Sequence, residues 1–176
     1  MDLYNYKVLP ADICDYLINL YESDVENHER VDNQSKPTFT QLNLNKYHAN
    51  IISNLCNYFS ISLNFYKQDV PQAKYLPQVK YLEEFRIKKY EVGGKDRFEE
   101  HVDVIDHRSS KRSLAMLFYL NDVVSGGKTI FPYQDKEFTP SKGDVIVFPP
   151  TWEYPHLGES PISNPKYIMS TYLHYH

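Results

Sequence analysis

The densest group of side chains able to bind a metal or move a proton lies in FEEHVDVIDHR, residues 98–108, where His101 and Asp103 stand two apart. In an extended chain, side chains at i and i+2 project to the same side, so an imidazole and a carboxylate converge on one point near a strand end. A third donor, His156 in PPTWEYPHLGE, follows the apolar run DVIVFP and therefore stands at the exit of another strand. Two imidazoles and one carboxylate form the set that holds non-haem Fe(II) on one face and leaves its other positions open. A lone histidine is more often a surface or hydrogen-bonded residue, and His28, His48, His107, His174 and His176 are read that way. Lys166 adds weight to the triad. It lies ten residues beyond His156 at the head of KYIMSTYLHY, placed to meet an anionic cosubstrate beside the metal.

The elements that must position these groups follow from the periodicity. Residues 11–22, ADICDYLINLYE, repeat apolar side chains at spacings of three and four behind Pro10, which predicts a helix. Residues 22–37 are polar and aperiodic and read as a loop, and a second helical pattern runs from about Thr40 to Phe59. Beyond Pro71 and Pro77 the chain changes to short aromatic and β-branched runs: VKYLEEFRIKKYEV, SLAMLFYLNDV, KTIFP, DVIVFP and YIMSTYLHY. Turn residues separate them at Gly93-Gly94, Ser125-Gly126-Gly127, Lys142-Gly143-Asp144 and Asn164-Pro165. This spacing predicts an antiparallel double sheet rather than βαβ units. The expected fold is mainly β with N-terminal helices (α+β): a double-stranded β-helix, or jelly roll, with helices packed on one sheet. Residues 1–70 are the helical support and 79–175 the catalytic core of a single domain spanning 1–176.

Composition narrows the function. With 176 residues, 41% hydrophobic and 24% charged, the chain has the balance of one compact soluble domain. A net charge of −4 argues against a broad nucleic-acid or anionic-membrane footprint. Cys14 and Cys56 form no CxxC or Cys/His cluster, so they are read as free thiols rather than a disulfide or structural zinc site. MDLYNYKVLP has no basic segment followed by an apolar run, and no later stretch has the ~20 apolar residues of a membrane span, so a cytoplasmic protein is expected.

The chain resembles the 2-oxoglutarate- and Fe(II)-dependent dioxygenases, in their prolyl 4-hydroxylase-like branch, over about residues 79–175. The resemblance is carried, in order, by YEVGGKDRFEEHVD, RSLAMLFYLNDVVSGGKTIFP and PSKGDVIVFPPTWEYPHLGESPISNPKYIMSTYL. It implies His101, Asp103 and His156 as iron ligands, with Lys166 taking the distal carboxylate of 2-oxoglutarate. It further implies Tyr90, Tyr119 and Thr129 around that carboxylate, dioxygen as co-reactant and ascorbate as an auxiliary ligand. Lys128 stands where the family commonly has glutamate, and Ala115 where it often has a small hydroxylated residue. The implied reaction couples oxidative decarboxylation of 2-oxoglutarate, giving succinate and carbon dioxide, to hydroxylation of a prolyl residue. Arg112 corresponds to a substrate-side arginine, while Trp152 and Tyr154 flank the approach to His156 and are candidates for an aromatic wall.

Other readings remain open on the residues alone. Asp106 and His107 extend the cluster toward a dinuclear hydrolytic site, but H-x-H-x-D-H spacing is absent and Lys166 would then have no task. The same scaffold can also serve as a non-catalytic metal-binding module, or direct oxygenase chemistry at a free amino acid or other small metabolite. The connections 22–37 and 68–78 are candidates for a lid, and a monomer or homodimer is expected.

Overall fold

The computed structural model describes residues 2–32 and 37–176. Among the described residues the chain runs β1 (Tyr4–Lys7), α1 (Ala11–Ser23), β2 (Glu29–Asp32), β3 (Thr38–Asn43), α2 (Leu44–Tyr47), α3 (Ile52–Asp69), β4 (Arg86–Tyr90), β5 (Phe98–His101), β6 (Arg112–Tyr119), β7 (Thr129–Phe131), β8 (Lys136–Phe138), β9 (Asp144–Phe148), β10 (His156–Gly158) and β11 (Lys166–His174). The strands form a seven-stranded sheet ordered β1-β9-β6-β11-β4-β3-β2 and a four-stranded sheet ordered β5-β10-β7-β8, with each adjacent pair antiparallel. This is the jelly-roll double sheet with helical support that the sequence predicts.

The central strands of the large sheet are apolar on both faces because both faces are covered. On β6 and β9, Leu114, Met116, Phe118, Val145 and Val147 face the helices, where they meet Leu17 and Tyr21 of α1 and Leu55, Phe59 and Leu63 of α3. The alternate residues, Ala115, Leu117, Tyr119, Ile146 and Phe148, join Phe39, Tyr90, Phe131 and Ile168 between the two sheets. Such strands lose the in/out alternation of a half-exposed sheet and read as continuous apolar runs. Each fully buried Leu, Met or Phe in these layers contributes about 1.5–3 kcal/mol.

The N-terminal half departs from expectation in three places. Tyr4–Lys7 is a strand, paired with β9 from Tyr4↔Val147 to Lys7↔Asp144. The segment read as loop over 22–37 contains a 3-10 turn, Val25–Asn27, and strand β2; residues 33–36 of that connection lie outside the described residues. The helix expected from about 40 to 59 is strand β3 up to Asn43, the short α2, and then α3. Asn43 ends the strand and starts the turn, its side chain accepting from the Lys46 N–H at 3.1 Å. The apolar stripe of α3 continues past Phe59 through Leu63 and Tyr66, and the helix stops before Val70-Pro71. The 68–78 connection packs Val70 and Ala73 into the helical layer and does not line the cavity beside the triad. Cys14 and Cys56 are free thiols, Cys14 buried. Among the described residues no helix is long and apolar enough to cross a membrane.

Candidate metal centre

Strand register brings the three donors together. His101 ends β5 and pairs directly with His156, the first residue of β10, so two imidazoles 55 residues apart in sequence become cross-strand neighbours. Their ring centroids are 4.3 Å apart. Asp103, two residues past β5, turns back toward both rings. Its Oδ1 lies 3.4 Å from His101 Nε2 and its Oδ2 3.9 Å from His156 Nε2. One donor atom from each residue falls within 4.8 Å of the others.

The second nitrogen of each ring sets its orientation. Nδ1 of His101 meets the Glu99 carbonyl at 2.8 Å and Nδ1 of His156 meets the Tyr154 carbonyl at 3.1 Å. A carbonyl can only accept, so Nδ1 carries the proton in each neutral ring and Nε2 presents its lone pair toward Asp103. Aromatic neighbours fix the planes. Phe98 stacks on His101 at 3.6 Å, while Phe131 stacks on His156 at 5.1 Å and Phe148 meets it edge-on at 4.9 Å.

The electrostatics suit a cation. Burial works to raise the Asp103 carboxyl, but the opposing influence of His156 and His101 prevails and brings it down to about 2. Burial lowers His156 below the ordinary imidazole value, more than Asp103 raises it, so the ring favours its neutral, ligating form. Asp103 Oδ2 is buried and has no hydrogen-bond partner among the described residues. An ionised oxygen left so costs about 1–3 kcal/mol or more. A divalent cation seated between the three donors supplies the missing partner, so the residues present fit Fe(II) on both donor chemistry and unmet valence.

Lys166, Tyr90, Tyr119 and Thr129 gather behind the triad. Lys166 and Tyr90 are cross-strand partners, with the Lys166 ammonium 4.9 Å from the Tyr90 ring centroid. The ammonium is buried, donates to the Gly127 carbonyl at 2.8 Å, and is pushed down by burial to about 8. Tyr119 donates to Thr129 Oγ1 at 2.6 Å, and burial raises its phenol well above the ordinary value. The Ser125-Gly126-Gly127 turn that delivers the Gly127 carbonyl needs both glycines left-handed, each at φ 71°. A Cβ on Gly126 would stand 2.6 Å from the Ser160 carbonyl oxygen.

A cavity of about 1210 Å³ opens over His101 and Asp103, and His156, Tyr90 and Lys166 are not among the residues that line it. Arg112 is on this wall, but its guanidinium is committed. Nε and Nη2 donate to the Glu83 carboxylate at 3.0 and 2.8 Å, Nη1 donates to the Asp103 backbone carbonyl at 2.7 Å, and the group lies 4.1 Å from the Tyr172 ring centroid. Glu83 also meets His174 Nε2 at 3.2 Å. Burial would raise Glu83, yet Arg112 and His174 together hold it below the usual carboxylate range. Arg112 is thus a clamp on the Asp103 backbone in this structure, a task the substrate-side expectation did not include.

Trp152 and Tyr154 do not line the cavity. Trp152 is 76% exposed, and Tyr154 turns inward, its hydroxyl accepting from the Asp2 N–H at 3.1 Å. What Tyr154 brings to the site is the carbonyl that orients His156. Glu83 and the three phenylalanines carried no local signal in the sequence. His174, one of the five histidines assigned to the surface or to hydrogen bonding, is buried and hydrogen-bonded, and its partner belongs to the group that clamps Asp103. Asp106 faces the neighbouring turn instead of the triad, its Oδ1 accepting from Ser109 N–H at 2.9 Å, so the dinuclear alternative lacks its second cluster among the described residues.

A double-stranded β-helix holding H-x-D and a distal histidine at one point is the architecture of a facial-triad iron site. The chain belongs to the 2OG-Fe(II) oxygenase superfamily, whose family signature covers residues 85–174, just over half of it. It is 34% identical over 107 residues to a probable prolyl 4-hydroxylase 9 from Arabidopsis thaliana, the match spanning 49% of this chain and 36% of that protein. It is 31% identical over 100 residues to a putative prolyl 4-hydroxylase of Acanthamoeba polyphaga mimivirus, spanning 57% and 38%. The matches thus take in a little over a third of the length of these curated relatives. The fold is shared with the viral collagen prolyl hydroxylase of Paramecium Bursaria Chlorella virus-1 in its 2OG complex, at TM-score 0.74 and 20% identity over 98% of this chain and 95% of that one.

Proposed function

We propose that this chain catalyses the Fe(II)- and 2-oxoglutarate-dependent hydroxylation of a prolyl residue within a peptide, releasing succinate and carbon dioxide. The observation that carries the reading is the cross-strand pairing of His101 with His156 around a buried, unpartnered Asp103 oxygen, with the Lys166 ammonium behind it. His101, Asp103 and His156 are the residues that hold the iron. Lys166 receives the distal carboxylate of 2-oxoglutarate, and Tyr90, Tyr119 and Thr129 close that end of the pocket. When bound, iron and 2-oxoglutarate together supply the oxidising chemistry. The protein's share is geometric and electrostatic: two carbonyl-anchored imidazoles, an Asp103 whose backbone carbonyl is clamped by Arg112, and Phe98, Phe131 and Phe148, whose rings hold the planes of the two imidazoles.

A peptide rather than a free amino acid is supported by the cavity, whose roughly 1210 Å³ exceeds the ~300–1,000 Å³ of small-molecule sites. The names of the two curated relatives agree with a prolyl target. The test is anaerobic addition of Fe(II) and 2-oxoglutarate to metal-free protein, read by the visible metal-to-ligand charge-transfer band, with Asp103→Ala and Lys166→Ala beside it. The parent forms the band and both variants lose or weaken it. Admission of oxygen with proline-containing peptides then yields succinate and a mass gain of one oxygen in the peptide. Iron binding with no band refutes the reading.

A further inference from the structure

Lys88 is a charged group of the site that the chemistry above does not use. On β4 it shares a face with Tyr90 and Arg86, two residues away on either side, and its cross-strand partners are Ile168 and Gln41. That face looks into the space between the sheets, and Lys88 lines the same cavity as His101 and Asp103. Its ammonium lies 5.1 Å from the Phe39 ring centroid. Among the described residues it has no ion-pair or hydrogen-bond partner, whereas its neighbours do: Arg86 pairs with Glu84, and Lys89, on the helix-facing side, pairs with Glu22 at 2.8 Å and Glu91 at 2.9 Å. A half-buried cation that touches an aromatic face, and that Asp103 and Glu83 attract only without direct contact, has given up hydration without gaining an ion-pair partner of its own.

The surrounding wall leans the same way. Arg86, Lys88, Arg108, Lys111 and Arg112 face the cavity against Glu83, Glu84, Asp103 and Asp106, five cations to four carboxylates on a chain whose net charge is −4. Two of those carboxylates are taken by Arg86 and Arg112, and Asp103 is a proposed metal ligand. The uncommitted charge beside the metal centre is therefore positive.

We propose that Lys88 binds a carboxylate of the substrate, so that the target residue reaches the metal with an acidic group beside it. The proposal rests on the oxygenase reading and names its substrate class. The carboxylate has two sources, an Asp or Glu side chain next to the target proline or the α-carboxylate of a C-terminal proline.

The experiment measures binding of labelled peptides by fluorescence anisotropy to protein loaded anaerobically with Fe(II) and 2-oxoglutarate. One peptide pair has an internal proline flanked by Glu or by Gln, and a second ends in proline as free acid or amide. The parent binds one acid form more tightly than its neutral counterpart by about tenfold or more, the range of a charge-assisted hydrogen bond. The pair that shows the preference identifies the source. Lys88→Met reduces that ratio to about one, Lys88→Arg retains most of it, and Lys88→Glu inverts it when the flanking residue is Lys. The charge-transfer band persists in Lys88→Met. Equal binding of acid and neutral forms by the parent, including no binding of either, overturns the proposal, as does loss of acid and neutral binding alike in Lys88→Met with the band weakened, which would make Lys88 a cosubstrate group. A parent without the band counts against the oxygenase reading instead, and the acid-to-neutral ratio still decides Lys88.

Discussion

Replacing Lys166 by Met should make the ligand-free protein more stable while destroying its cosubstrate site. Burial brings the Lys166 ammonium from 10.5 down to about 8, with the Gly127 carbonyl as its one hydrogen-bond partner among the described residues. At about 1.36 kcal/mol per tenfold change in proton affinity, keeping the buried group charged costs the native state roughly 3 kcal/mol at neutral pH. Methionine fills much the same space without the charge. It leaves the Gly127 carbonyl unpartnered, which returns about 1 kcal/mol, so a net gain of about 2 kcal/mol remains. For a chain of this size that is a rise in Tm of about 4–8 °C. The sign with pH follows from the depressed native value. Between about pH 8 and 10.5 the unfolded lysine keeps its proton while the native one has lost it, so the parent gains stability as pH rises through that window. The variant lacks this gain, so its advantage passes through zero within the window and becomes a deficit of about 1 kcal/mol at the upper end, where only the lost hydrogen bond to Gly127 remains. Urea unfolding of both proteins at pH 7, 9 and 10.5 measures the difference. With excess Fe(II) and 2-oxoglutarate at pH 7 the order reverses, because iron stabilises both proteins while only the parent also gains from tight 2-oxoglutarate binding. A variant less stable than the parent at pH 7 without ligands, or a difference that does not change across the window, refutes the reasoning.

Three further outcomes follow from the same geometry. Glu83→Gln weakens the hold of Arg112 on the Asp103 backbone and should reduce Fe(II) affinity by about 10-fold or more, the usual scale for groups that orient metal ligands, in an anaerobic competition titration; unchanged affinity would make the clamp purely structural. Because burial holds His156 below the ordinary imidazole value of 6.5, Fe(II) affinity should vary little from about pH 8 down to that value and fall only below it, where protons compete for Nε2; a decline already complete above that value would contradict the assignment. Gly126→Ala puts a Cβ 2.6 Å from the Ser160 oxygen at a left-handed φ of 71°, so thermal unfolding should show a loss of about 2 kcal/mol or more, with weaker 2-oxoglutarate binding as the Gly127 carbonyl shifts.

The parts of the site legible in the sequence are those whose geometry is local. His101 and Asp103 need only the period of an extended chain, and His156 needs only an apolar run before it to stand at a strand exit. The clamp on Asp103 is of another kind: Glu83 lies 29 residues from Arg112 and 91 from His174, and nothing but the closed sheet brings the three into contact. Strand β3 was hidden for a similar reason. The three-and-four spacing of Leu44, Tyr47 and Ile51 extends the helical reading back to Thr40, and what makes TFTQLN extended is pairing with β4, as in Leu42↔Ile87, some forty-five residues on. Trp152 and Tyr154 show the opposite error, where adjacency in sequence to His156 suggested adjacency to the substrate and the turn sends one side chain to solvent and the other into the interior. Along β4 and β11 the inward face changes from Tyr90 with Lys166, through Lys88 with Ile168, to Arg86 with Ser170, and on to Tyr172 and His174. A strand carrying R-I-K-K-Y reads as one with a solvent face, because charge at alternate positions normally means water. Here the alternate charges at Arg86 and Lys88 line a cavity between two sheets, and polar residues directed inward where packing alone would select Val or Ile mark the face that meets the ligand.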